Sequence, residues 1–107
     1  MKYKKITENK YEIEMCDEDI IKKRNFFDLG EVGDFWAHSI IVETNDEGYI
    51  LCNIVLKGLY KPIGGEEREE ILDAILVDTN DVKLEDIISG KYTAGEIAKM
   101  EWDEFQI

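Results

Sequence analysis

The chain is poor in the residues that most often carry chemistry or cross-links. It has one histidine, His38, two cysteines, Cys16 and Cys52, and one proline, Pro62. Two isolated cysteines and a lone histidine offer neither C-x₂-C nor H-x₃-H spacing, so no zinc site is expected. The cysteines are too few for the framework of a disulfide-rich secreted domain and read as buried thiols in a reducing compartment. Apolar runs are short as well. Stretches such as Ile40-Ile41-Val42 are strand-sized, whereas a membrane-spanning helix needs ~20 apolar residues. The basic residues near Met1 precede no apolar segment, so no secretory leader is expected. The expected setting is the cytoplasm of a bacterium or of a phage-infected cell.

Cations are the other shortage. Thirteen Lys and Arg face 25 Asp and Glu, for a net charge of −12 at pH 7 and a pI near 4.4. Binding DNA or RNA directly requires a Lys/Arg surface that displaces counterions, and docking on an anionic membrane requires the same sign; neither is expected here. The acidity is not that of a disordered tail, because 44% of the residues are hydrophobic and 10% aromatic. A chain of 107 residues is expected to form one domain over 1–107, since domains typically run ~100–150 residues.

Alternation in Tyr3–Ile6 and Tyr11–Met15 predicts two short strands joined at Glu8-Asn9-Lys10. Asp17 is placed to N-cap a short helix through Arg24, with Glu18 and Asp19 suiting its positive end. A loop over Asp28–Asp34 is punctuated by Gly30 and Gly33. The hairpin from Phe35 to Lys57 is the most readable element. Asn45-Asp46-Glu47-Gly48 fits a type I turn followed by a left-handed glycine, which pairs Asn45 with Tyr49. That register puts Trp36, His38, Ile40 and Val42 on one face with Ile50, Cys52, Ile54 and Leu56. Beyond a loop around Pro62, Glu66–Leu76 reads as a helix with Ile71, Leu72, Ile75 and Leu76 on one side, although Ala74–Val77 also suits a strand. Asp81 is placed to cap a short helix stopped by Gly90, Thr93–Glu96 is a capping box for a last helix, and Trp102 and Phe105 are expected to fold onto the core. The sum is an α+β domain: a small antiparallel sheet centred on a 35–57 hairpin and packed against two or three short C-terminal helices.

No cofactor is implied. His38 lies on an otherwise apolar hairpin face and reads as a hydrogen-bonded core or near-core residue, not a catalyst. There is no G-x-S-x-G elbow or other nucleophile motif. Glu43–Gly48 imitates the start of a calcium loop, but position 12 is Ile54 where an EF-hand needs a bidentate Glu. Gly64-Gly65 precedes Glu66, Glu67, Glu69 and Glu70, whose carboxylates would repel a phosphate, and no nucleotide fingerprint occurs elsewhere.

The distribution of charge carries more information. Residues 1–24 hold seven basic and six acidic groups, while residues 25–107 hold six and 19. The excess therefore belongs to the body of the domain. A negative face of this kind suits the arginine and lysine rows of a nucleic-acid channel and speeds capture electrostatically. The expected function is that of a small non-enzymatic inhibitor that occludes a basic nucleic-acid-processing effector, of the anti-CRISPR or anti-restriction type. An immunity protein against a nuclease toxin is the near alternative; an unrecognised small enzyme or a structural domain is the more distant one. The expected partner is thus a basic protein. The residues expected to meet it are Glu66, Glu67, Glu69, Glu70 and Asp73, with Tyr60 and Trp102 as exposed aromatic anchors and Asp103 and Glu104 beside them.

Overall fold

The computed structural model describes residues 3–76, 82–100 and 102–106, with backbone alone at Cys52, 73–76 and 102–106. The two alternating segments near the start form β1 (Tyr3–Thr7) and β2 (Lys10–Glu14), an antiparallel pair. The chain then makes helix α1 (Asp17–Ile21), strand β3 (Phe26–Asp28), a 3₁₀ turn at Gly30–Val32 and the long strand β4 (Gly33–Thr44). β2 and β3 lie end to end along the same edge of β4, β2 beside Ser39–Glu43 and β3 beside Asp34–Trp36, and α1 fills the break between them. The other edge of β4 takes β5 (Ile50–Pro62), followed by β6 (Arg68–Leu76) and β7 (Trp102–Gln106).

The result is a seven-stranded antiparallel sheet in the order β1-β2-β4-β5-β6-β7, with β3 also on β4. This corrects the expected small sheet packed against helices. Half of the chain is strand, and α1, α2 (Leu84–Ile88) and α3 (Ala94–Ala98) are five residues each. The largest single difference is 66–76, expected as a helix and found as β6. Its apolar pairs at 71/72 and 75/76 satisfy a helical stripe and a two-faced strand alike. The 13-residue β5 presents a long row of backbone donors and acceptors, and β6 satisfies them from Tyr60↔Arg68 to Asn53↔Ile75. Gln106 and Phe105 of β7 then pair with Asp73 and Ala74, so the final segment extends the sheet.

The hairpin turn forms as its residues dictate. Asn45 Oδ1 accepts from the backbone N–H groups of Glu47 (2.9 Å) and Tyr49 (3.0 Å), and Gly48 takes the left-handed φ of 89° that its turn position requires. Two irregularities follow. The register slips by two between Thr44↔Ile50 and Val42↔Ile54, which leaves the faces unchanged. It then slips by one between Ser39↔Lys57 and Ala37↔Gly58, making His38 the extra residue of a bulge. Here the backbones come so close that a Cβ on Gly58 would lie 2.0 Å from the Trp36 carbonyl oxygen. The one-residue slip exchanges faces: Phe35 and Ala37 turn inward, and Trp36 and His38 turn outward, contrary to the expected alternation.

The inward face carries the core. Ile13, Phe35, Ile40, Leu56 and Leu72 are fully buried, and Val82, Ile87, Ala94, Ile97 and Ala98 join the same cluster from the segment bearing α2 and α3. That segment is tied to the hairpin end by Ile50 N–H donating to Val82 O (2.9 Å) and Leu84 N–H donating to Gly48 O (3.0 Å). Thr93 and Glu96 form the expected capping box: Glu96 N–H donates to Thr93 Oγ1, and Thr93 N–H to Glu96 Oε1, both at 3.1 Å. Lys83, not Asp81, precedes α2, and Cys16, not Asp17, precedes α1; Asp81 lies outside the described residues.

Candidate interaction surface

The described residues leave the second face of the sheet open. Reading across β2, β4, β5 and β6, its rows are Glu12–Ile41–Val55, then Glu14–Ser39–Lys57–Ile71, then Trp36–Leu59–Glu69 with Phe26 of β3 at the side. Ile71 is 59% and Leu59 38% exposed, and Trp36, Ile41 and Val55 are half-buried. The Phe26 and Trp36 rings pack at 5.4 Å, tilted by 51°. Where this row approaches α1 the surface sinks into a groove of about 740 Å³.

Polar groups on this face are partly paired. Glu12 accepts from Lys57 Nζ (3.2 Å) and Ser39 Oγ (3.1 Å). Burial pushes its carboxyl upward, but the bonds from Lys57 and Ser39, with the charges of Lys57 and Lys4, hold it below the ordinary value. His38 Nε2 lies 3.3 Å from Glu69 Oε2, so the histidine reaches out along the open face and is not the core residue expected. Ser39 is fully buried, and its hydroxyl donates a hydrogen bond to Glu12 Oε2. Cys16 is a free thiol that donates to Asp19 Oδ2 at 3.4 Å. Among the described residues no group of three or more His, Cys, Asp or Glu could hold a metal ion, and no helix is long and apolar enough to cross a membrane.

The expected contact residues are distributed differently from the helical patch the sequence suggested. Glu66 and Glu67 lie exposed in the β5–β6 connection. Because β6 is a strand, Glu69 and Glu70 point to opposite faces: Glu69 is on the open face, and Glu70 accepts from Arg68 Nε at 2.9 Å on the other. Asp73 continues β6 opposite Val55, while Trp102, Asp103 and Glu104 belong to β7, with Trp102 paired to Leu76 and Glu104 to Ile75; the side chains of these four lie outside the described residues. Tyr60 is not an exposed anchor. It is 5% exposed, donates its hydroxyl to Val32 O at 2.6 Å and carries Arg68 over its ring at 5.3 Å.

The residues the sequence reading missed are the open-face set around Trp36, Leu59 and Ile71, together with Glu14 and Asp17 beside the groove. The one signal in the sequence is the mixed character of Ala37, Ser39, Ile41 and Glu43 beside Leu51, Asn53, Val55 and Lys57, which suits a partly covered face but does not say which residues stay bare. No protein-family model matches the chain, and neither a curated protein nor a solved structure matches it.

Proposed function

We propose that the chain is a non-enzymatic inhibitor that binds a basic nucleic-acid-processing protein and occludes its cationic groove, as an anti-CRISPR or anti-restriction protein does. The observation that carries this reading is the presence of an open, partly apolar sheet face together with the exposed carboxylates of the β5–β6 connection. Glu66 and Glu67 are exposed and have no cation partner among the described residues. Exposed apolar surface supplies contact area, and unneutralised carboxylates supply steering toward a positive partner. Glu70, already held by Arg68, contributes less.

Capture from an extract of the source cell by the immobilised protein tests this. The expected result is retention of a basic nucleic-acid-binding protein, with an association rate that falls steeply as salt rises and capture abolished by E66K/E67K/E69K in a folded variant. Capture that is indifferent to salt and to the triple reversal overturns the proposal.

A further inference from the structure

We infer that the groove beside α1 takes a cationic peptide segment carrying an apolar anchor side chain, presented by the partner. The inference rests on the inhibitor reading above and adds where, and by what chemistry, the partner is held. The floor is apolar: Trp36, Leu59, Met15 and Ile20 line it, and Ile20 is 54% and Leu59 38% exposed. Apolar side chains scattered singly over a surface are ordinary, but gathered in a concavity they mark a binding site. The volume of about 740 Å³ falls within the ~300–1,000 Å³ of pockets that enclose a small ligand or a few side chains.

The rim selects the occupant. Glu14 and Asp17 line the groove together with the polar Asn25 and His38, and neither carboxylate makes an ion pair or side-chain hydrogen bond with another described residue. Neighbouring carboxylates have cation partners: Glu12 has Lys57 at 3.2 Å and Glu18 has Lys22 at 2.8 Å, while Glu69 has the imidazole of His38 at 3.3 Å. The negative charge left uncompensated here is therefore at the groove. A second copy of this chain, at net −12, would bring like charges together, and a phosphate would be repelled in the same way. A segment with Arg or Lys flanking an aliphatic or aromatic residue meets every requirement. The anchor fills the floor, the cations meet Glu14 and Asp17, and an arginine can lie on the half-buried indole of Trp36. The Trp36 N–H has no acceptor among the described residues and is available to a carbonyl of the bound segment.

The test is an amide-resolved NMR titration with the blocked hexapeptide Arg-Ala-Leu-Phe-Ala-Arg. The controls are Glu-Ala-Leu-Phe-Ala-Glu and Arg-Ala-Ser-Ser-Ala-Arg. The expected result is saturable binding that perturbs residues 14–17, Ile20, Trp36 and Leu59. Both controls, L59R and the charge-neutral pair E14Q/D17N should bind about tenfold more weakly or worse, with undisturbed spectra confirming that the variants fold. Equal binding of the acidic peptide, perturbation elsewhere, or no saturation overturns the inference. The two proposals separate in the capture experiment. If L59R retains the same basic protein as the unaltered chain, the groove inference fails and the inhibitor reading stands. If the unaltered chain captures no basic protein but the hexapeptide saturates the groove as described, the inhibitor reading fails and the groove stands.

Discussion

Asp19 has 0% exposure where α1 meets α3. Its carboxylate accepts from Thr93 Oγ1 at 2.6 Å, Gly95 N–H at 3.0 Å, Cys16 N–H at 3.3 Å and Arg24 Nη1 at 3.3 Å. Gly95 is required for the approach, since a Cβ there would lie 2.4 Å from Oδ1. Burial raises the carboxyl pKa, but the bonds from Thr93, Gly95 and Cys16 outweigh it and hold the group below its ordinary 3.8. A depressed folded-state pKa contributes stability that is complete above 3.8 and is lost as pH falls through the lower folded value. Asp19→Asn keeps the shape but turns an amide N–H₂ toward donors, at a cost of about 3 kcal/mol at neutral pH. Urea unfolding of both proteins along a pH series should show that gap closing as the native carboxyl protonates; a constant gap would remove the ionised carboxylate as its cause. Sequence reading saw Asp19 only as one of three acids at a helix start. Its partners Thr93 and Gly95 lie 74 and 76 residues away, a separation no local pattern encodes.

At the scale of the element, β6 offers a direct discrimination between the helix that its apolar pairs suggest and the strand that forms. In a helical stripe Ile71 and Leu72 would both face inward. In the strand they part: Leu72 is 0% and Ile71 59% exposed. Leu72→Ala should therefore cost about 2–5 kcal/mol, while Ile71→Ala should stay within about 0.5–1 kcal/mol, as measured by denaturant midpoints at unchanged m-value. Comparable losses at both positions would contradict the two-faced strand. Elements specified by neighbours in sequence were legible: the Asn45–Gly48 turn, the Thr93/Glu96 box and the paired strands before Cys16. Elements specified by distant partners were not. β6 is chosen by β5 and β7, and the bulge at His38 depends on the close approach at Gly58. That single bulge is why Trp36 and His38 were read as core when they belong to the open face.

For the whole molecule, charge acts on the fold and on its proposed complex in opposite directions. The excess of acid follows residue 24, and the fold disperses part of it: Glu69 and Glu70 part to opposite faces, and Glu66 and Glu67 lie exposed in the β5–β6 connection. Few carboxylates are locally neutralised by described cations, the closest pairs being Lys22–Glu18 at 2.8 Å and Arg68–Glu70 at 2.9 Å. A compact body at −12 repels itself more strongly than its expanded unfolded chain does, so screening should favour the native state. Ions shorten the Debye length from ~30 Å at 0.01 M to ~8 Å at 0.15 M, a change from comparable with to well below the 24–44 Å extents of the molecule. Raising sodium chloride over that range should move the urea midpoint of the free protein upward, by about 0.5–1 kcal/mol of stability at constant m. The same change should slow capture of a cationic partner and weaken the hexapeptide at the groove, because there the screened interaction is attractive. A midpoint that falls with salt would mean that attractive pairs such as Lys57–Glu12 outweigh the net repulsion. The acidity would then be a balanced feature of the fold, with no field left over to steer a partner.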